Sequence, residues 1–84
     1  MKWEKSGKTL KVELLGDFNY ERVLKLQPLL EGVKELKVEL KKASFVDSEA
    51  VDFLYNLKLK GVKYELLNRP KLLEEVCRIL KVEV

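Results

Sequence analysis

Few residues of this chain could carry out covalent chemistry. The sequence contains no histidine and a single cysteine, Cys77. Nucleophile pairs that need histidine, histidine-ligated zinc and sites built from several cysteines are therefore excluded. An enzyme would have to rely on carboxylates or lysines, and no nucleophile in the sequence lies beside an evident base. The sequence predicts a protein that is not an enzyme, with Cys77 as an inert core residue.

Four carboxylates follow strand-like segments and could gather at one edge of a sheet: Asp17, Asp47, Glu49 and Asp52. Calcium and magnesium prefer such oxygen ligands, but dedicated sites are marked by a loop motif that this chain lacks. A structural role is available instead, because Asp47 or Ser48 can cap a helix and Glu49 would complement its dipole. We expect no metal and no other cofactor.

Apolar and charged residues alternate in four segments, and this pattern predicts strands. The segments are 2–5, 8–15, 36–41 and 62–66. Ser6-Gly7 predicts a hairpin between the first two. Three stretches with helical spacing lie among the later strands, with starts predicted at Asp17 or Asn19, at Asp47 or Ser48, and at Pro70 in a first-turn position. Pro28 should kink or split the first helix.

The order of these elements predicts one α/β domain spanning residues 1–84, with a four-stranded mixed sheet. The last three strands should be parallel, since helical crossovers join them. Because these strands alternate rather than being apolar throughout, the helices should cover one face only, leaving the Lys/Glu face to water. The turns after the parallel strands then meet at one edge, where open α/β sheets usually place their function.

The charge pattern argues against two classes of partner. The net charge is +3, and most lysines alternate with glutamates, so we interpret the basic excess as dispersed rather than as a nucleic-acid footprint. No apolar run reaches the ~18–20 residues that a membrane span needs, and the N-terminus lacks the apolar core of a signal peptide. We expect a cytoplasmic protein without membrane insertion.

The segment Glu39 to Val51 reads ELKKASFVDSEAV and resembles the signature of STAS domains, found in anti-sigma factor antagonists and sulphate transporters. The acidic-Leu pair, the Ser-aromatic-hydrophobic run and the Asp47-Ser48 pair fall in register with it. The resemblance spans roughly Thr9 to Leu80. It implies a single two-layer STAS-like domain, the same fold that alternation and element order predict.

The resemblance also implies a function. Partner-switching antagonists carry a phosphorylatable serine at the position of Glu49, and here the following glycine is replaced by Ala50. It therefore implies a regulatory binding protein that docks an anti-sigma factor or kinase without the usual switch, with Ser48 as a weaker phosphorylation candidate. The alternative is the cytoplasmic STAS subunit of an ABC-type phospholipid or solvent transporter, which would regulate the ATPase. The oligomeric state stays open.

The expected partner surface combines the Asp47-Ser48-Glu49 loop, the adjoining turn and the outer side of the second helix. Tyr55 and Leu59 fall off the apolar stripe of that helix, and exposed apolar side chains beside converged loops favour docking. The predicted partner-binding residues are Asp17, Asn19, Asp47, Ser48, Glu49, Asp52 and Tyr55.

Overall fold

The computed structural model describes residues 1–81, which form one sheet and a layer of helices. The strands are β1 (Lys2–Ser6), β2 (Thr9–Glu13), β3 (Glu35–Glu39) and β4 (Lys63–Leu67). The helices are α1 (Tyr20–Leu26), α2 (Ser48–Leu59) and α3 (Lys71–Leu80), and a 3-10 turn at Gln27–Leu30 follows α1.

The strands lie side by side in chain order, β1-β2-β3-β4. The hairpin pair β1 and β2 is antiparallel, whereas β2, β3 and β4 are parallel to one another, as predicted. Across the sheet, Val12 stands opposite Val38, which stands opposite Leu66. Every crossover therefore returns to the same edge, and the loops after β2, β3 and β4 meet there.

Alternate residues of the inner strands face the helices and are buried. Leu10, Leu36 and Val38 have no exposed surface, while the residues between them are charged and at least partly exposed. Burial of one sheet face under the helix layer confirms the prediction that the helices cover a single side. Among the described residues, no helix is both long and apolar enough to cross a membrane.

Local sequence signals set the helix boundaries. Asn19 caps α1 by accepting a hydrogen bond from the Arg22 amide at 3.2 Å. Pro28 lies in the 3-10 turn directly after α1, so it ends the regular helix as predicted. Gly61 follows α2 with a φ of +80°, and the Val62 amide donates back to Leu57, which together close α2 in a Schellman motif.

Helix α3 departs from the prediction in two ways. Pro70 is the N-cap residue rather than a first-turn residue, because its extended ψ of 151° precedes the helix. The helical spacing of Leu73, Val76, Cys77 and Leu80 predicts a buried stripe, but that stripe is only partly covered: Leu73 is buried, Val76 and Cys77 are half-buried, and Leu80 is 41% exposed. Desolvation nevertheless raises the pKa of the Cys77 thiol, so little of it is ionised at neutral pH.

Candidate functional site at the carboxyl edge of the sheet

Two loops that are far apart in sequence are joined at the carboxyl edge. Phe18 and Val46 form a parallel bridge, and both side chains are fully buried. The Phe18 amide donates to the Phe45 carbonyl at 3.0 Å, and the Asp47 amide donates to the Phe18 carbonyl at 3.1 Å. This short bridge extends the pairing of β2 and β3 beyond the strands and fixes the loop that precedes α2.

Asp17 strengthens the same junction from its side chain. Its Oδ1 accepts hydrogen bonds from the Ser44 hydroxyl at 3.0 Å and from the Phe45 amide at 3.1 Å. One carboxylate oxygen therefore binds two consecutive residues of the opposite loop, Ser44 and Phe45. Asp17 was predicted as a partner contact or helix cap, and the structure shows it as a tie between loops.

Asp47 anchors both helices that start at this edge. Its Oδ1 accepts from the Ala50 amide at 2.9 Å, which caps α2, and its Oδ2 accepts from the Tyr20 amide at 3.2 Å at the start of α1. Asn19 is committed in the same way to capping α1. Three of the seven predicted contact residues thus use their side-chain oxygens for hydrogen bonds within the protein: Asp17, Asn19 and Asp47. These bonds hold the loops and the starts of α1 and α2 in place.

The remaining four predicted residues lie together on the exposed side of α2. Ser48, Glu49, Asp52 and Tyr55 follow helical spacing and are all exposed, with Tyr55 37% accessible. They line a cleft of about 290 Å³ whose other walls are Val51 and Leu80. The structure therefore brings a hydroxyl, two carboxylates and an apolar floor to one surface, which we call the α2 stripe: Ser48, Glu49, Asp52 and Tyr55.

A second groove, which sequence reasoning missed, lies on the other side of these carboxylates. It has a volume of about 570 Å³ and runs between α1 and α2, and Glu49 and Asp52 line it as well as the first cleft. Tyr20 also lines it and is 53% exposed. Tyr20 lies three residues before the buried Val23, on the same side of α1, and both line the groove. An aromatic residue at the start of this helix is the sequence signal that marks the groove.

Three of the four candidate carboxylates at this edge accept hydrogen bonds from the protein: Asp17, Asp47 and Asp52. Residues 1–81 contain no group of three or more side chains arranged to hold a metal ion. Asp52 accepts from the Asn56 amide group at 3.3 Å. At the end of β3, the Asn68 side chain donates to Oε2 of Glu39 at 2.8 Å, and this bond holds the pKa of that carboxyl below its usual value of 4.5.

Comparison with known proteins supplies a fold. No family model and no curated protein matches the sequence. The anti-sigma factor antagonist SpoIIAA in its unphosphorylated form matches with a TM-score of 0.69 and 18% identity, over 93% of this chain and 81% of that one. The Bacillus cell fate determinant SpoIIAA in the phosphorylated form matches with a TM-score of 0.68 and 18% identity, over 94% and 81%. The chain has the STAS fold, as predicted.

Proposed function

We propose that this chain is a non-enzymatic, cytoplasmic regulatory binding protein of the anti-sigma factor antagonist kind. Its partner is a nucleotide-binding protein such as an anti-sigma factor or kinase. The observation that carries the proposal is the α2 stripe, an exposed polar and aromatic surface beside a cleft at the carboxyl edge of a STAS fold. No step of bond making or breaking is assigned to it.

The contacts that hold the start of α2 in place explain how the α2 stripe would bind a partner. The side chain of Asp47 holds the first turns of both α1 and α2, and the Phe18–Val46 bridge holds the loop before them. A surface that is already ordered loses little conformational entropy when a partner docks. Preorganisation by Asp47 and its neighbours therefore favours binding, while the exposed residues of the stripe supply the contacts.

Glu49 gives the proposed binding protein a permanent negative charge at this position rather than a charge that phosphorylation switches on. A glutamate places one negative charge at the first turn of α2, whereas a phosphoserine there would carry about −1.5 to −2. Without a hydroxyl at this position, a serine kinase has no acceptor at the expected place. Ser48 is exposed one residue earlier and is the remaining candidate for modification.

The exposed α2 stripe also favours a second candidate function. A STAS subunit of an ABC-type phospholipid or solvent transporter would regulate its ATPase by docking and would need no phosphorylatable serine. Glu49 is compatible with that role. The partner distinguishes the two: an anti-sigma factor or kinase supports the first, and an ABC ATPase supports the second.

A titration with purified candidate partners tests the proposal, using two matched variants of α2. Tyr55 lines the cleft, whereas Leu59 lies one turn further along the same helix, is 68% exposed and does not line it. Tyr55→Ala should weaken binding by about tenfold or more, as expected for an aromatic hot spot, and Leu59→Ala should have little effect. Equal affinities of the two variants would exclude the α2 stripe as the docking surface.

A further inference from the structure

The edge of the sheet opposite the candidate site is rich in lysine. We call it the amino edge, and it consists of residues 5–8, 31–35 and 58–63, which lie in or next to the turns that lead into β2, β3 and β4. These residues include six of the 17 basic residues and two of the 14 acidic residues, a net charge of +4 where the whole chain carries +3. The basic excess, interpreted from the sequence as dispersed, is therefore gathered at one edge by the fold. The six are Lys5, Lys8, Lys34, Lys58, Lys60 and Lys63, and all are exposed.

Backbone hydrogen bonds hold the three segments of the amino edge side by side. The Lys34 amide donates to the Lys8 carbonyl at 2.8 Å, and the Lys63 amide donates to the Lys34 carbonyl at 3.0 Å. The Nζ of Lys5 donates to the Glu31 carbonyl at 2.7 Å, which ties the hairpin to the turn before β3. Because neighbouring strands lie about 4.8 Å apart, lysines that are distant in sequence become close neighbours at this edge.

The positive charge of the amino edge is not neutralised within the described part of the chain. Its two acidic residues are Glu31 and Glu35, and Glu35 pairs with Lys37 of β3, at 3.7 Å, rather than with a lysine of the amino edge. Like charges that are held side by side repel one another. An anionic surface that meets these lysines relieves the repulsion, so the charge distribution favours such a ligand.

The residue types at the amino edge favour a lipid surface over a nucleic acid. Its three segments contain no arginine and no aromatic residue, the side chains that proteins use most to read bases and to stack on them. A cluster of about four to eight basic residues is typical of binding to anionic lipids. Leu59, which is 68% exposed, adds an apolar side chain between Lys58 and Lys60 in the sequence.

We propose that the amino edge binds the surface of an anionic lipid bilayer through its six lysines. These charges come from three neighbouring turns, and a plane of lipid headgroups can meet all three at once. Each lysine that approaches such a surface strengthens binding by about fivefold. The protein lies on the bilayer in this arrangement and does not span it.

The proposed orientation leaves the α2 stripe accessible. Helix α2 begins at the carboxyl edge, where Ser48 and Glu49 lie, and ends at the amino edge, where Lys58 and Lys60 lie. The anionic headgroups attract the basic end of α2 and repel the acidic start. Leu80, next to the end of the described chain, lines the cleft at the first turns of α2 and so lies away from the hairpin and from the turn before β3. The amino edge shares no residue with the α2 stripe, so this inference is independent of the function proposed above.

Flotation of the full chain with lipid vesicles tests the proposal. Vesicles of phosphatidylcholine mixed with phosphatidylglycerol should bind the protein at about 0.1 M salt and release it at about 0.5 M salt, because salt screens exposed charges. Vesicles of phosphatidylcholine alone should not bind it. Equal binding to both kinds of vesicle, or no binding to the anionic ones, would overturn the proposal.

A triple variant removes one charge from each segment of the amino edge. Combined Lys8→Gln, Lys34→Gln and Lys60→Gln should weaken binding to the anionic vesicles by on the order of 100-fold, from about fivefold for each lysine. All three side chains are exposed, so thermal melts should show that the fold is retained. Unchanged affinity of this variant would refute the assignment of the site.

A matched control separates the amino edge from the net charge. Combined Lys2→Gln, Lys41→Gln and Lys42→Gln lowers the net charge by the same amount at exposed positions on the carboxyl side of the sheet. This variant should bind the anionic vesicles nearly as tightly as the parent. If both triple variants lost the same affinity, the overall charge rather than the amino edge would drive binding.

NMR spectroscopy of the full chain reads the orientation directly. Anionic bicelles that carry a paramagnetic headgroup should broaden the amide signals of Lys8, Lys34 and Lys60 and leave those of Ser48 and Tyr55 sharp. Broadening centred on the α2 stripe would contradict the proposed orientation. Duplex DNA that displaced the protein from the vesicles and shifted the same lysine amides more tightly than lipid would assign the amino edge to nucleic acid instead.

Discussion

The side chain of Asp47 binds the backbone of Tyr20, a residue 27 positions earlier in the chain, at 3.2 Å. The same carboxylate caps its own helix at the Ala50 amide. One residue therefore satisfies amide groups at the first turns of two helices, groups that would otherwise lack a partner. The loop that carries Ser48 and Glu49 is positioned by this double cap rather than by its own sequence alone.

Removal of the double cap should cost more than removal of a single one. Asp47→Ala loses both hydrogen bonds, and we expect the free energy of unfolding to fall by about 1–4 kcal/mol, whereas Asn19→Ala loses one cap and should cost about 0.5–2 kcal/mol. Urea unfolding of both variants measures the difference. If Asp47→Ala proved no more destabilising than Asn19→Ala, the bond to Tyr20 would contribute nothing to stability.

The bond between Asn68 and Glu39 predicts a pH dependence. Hydrogen bonding lowers the pKa of Glu39 below 4.5 in the folded state. The bond to the ionised carboxylate therefore stabilises the fold at pH values above the pKa that Glu39 has in the unfolded chain. This contribution is lost as the pH falls through the lower, folded-state value. Asn68 has a φ of +56°, so Asn68→Gly removes the amide while keeping the backbone conformation accessible.

The parent and Asn68→Gly should therefore differ in their free energy of unfolding. This difference should be larger at neutral pH than at a pH below the folded-state pKa of Glu39. In an NMR titration, the variant should also show the pKa of Glu39 shifted upwards, towards 4.5. Asn56→Gly is not a suitable control because Asn56 lies within α2. Gln27→Ala changes an exposed side chain that is not among the groups lowering the pKa of Glu39, and it should leave that pKa unchanged.

The sequence was sufficient for the sheet but not for the junction of the loops. Alternation in β2 and β3 predicts which face is buried, since burial of Leu10 and Val38 depends only on the pleat and the helix layer. The partners of Asp17 depend on parallel pairing that brings Ser44 and Phe45 beside it, and local spacing does not encode such a contact. The sequence therefore predicts Asp17 as a partner contact but does not reveal that its carboxylate also joins two loops.

Helix α3 shows a different limit of the same reasoning. Its apolar residues have a clear helical period, which predicts one buried stripe. The helix contributes a single fully covered side chain, Leu73, while Leu80 reaches the cleft beside Tyr55 and stays 41% exposed. Periodicity identifies the apolar face of a helix but not how much of that face the rest of the protein covers.

A serine kinase of the anti-sigma type should not phosphorylate the unaltered protein, because Glu49 occupies the position of the acceptor serine. Glu49→Ser introduces a hydroxyl at an exposed first-turn site of α2 and should allow phosphate transfer if the docking surface is intact. Mass spectrometry after incubation with kinase and ATP measures both. Robust phosphorylation of Ser48 in the parent would show instead that the acceptor is displaced by one residue.

Reversal of the charge at Glu49 should weaken partner binding with only a small effect on the fold. Glu49 is exposed, lines both clefts and lies in the first turn of α2, where a negative charge complements the helix dipole. Glu49→Lys should therefore cost about 0.3–1 kcal/mol of stability. Its binding should fall because the introduced lysine repels a basic partner surface that the carboxylate of Glu49 would attract.

Leu54→Ala provides the contrasting variant, since Leu54 is fully buried in the same helix. It should cost about 2–5 kcal/mol of stability, and it should reduce binding only to the extent that the protein unfolds. Titration with the partner, alongside thermal melts of both variants, separates the two effects. If Glu49→Lys stays folded and binds as tightly as the parent, Glu49 acts only on the helix dipole and the α2 stripe is not the partner site.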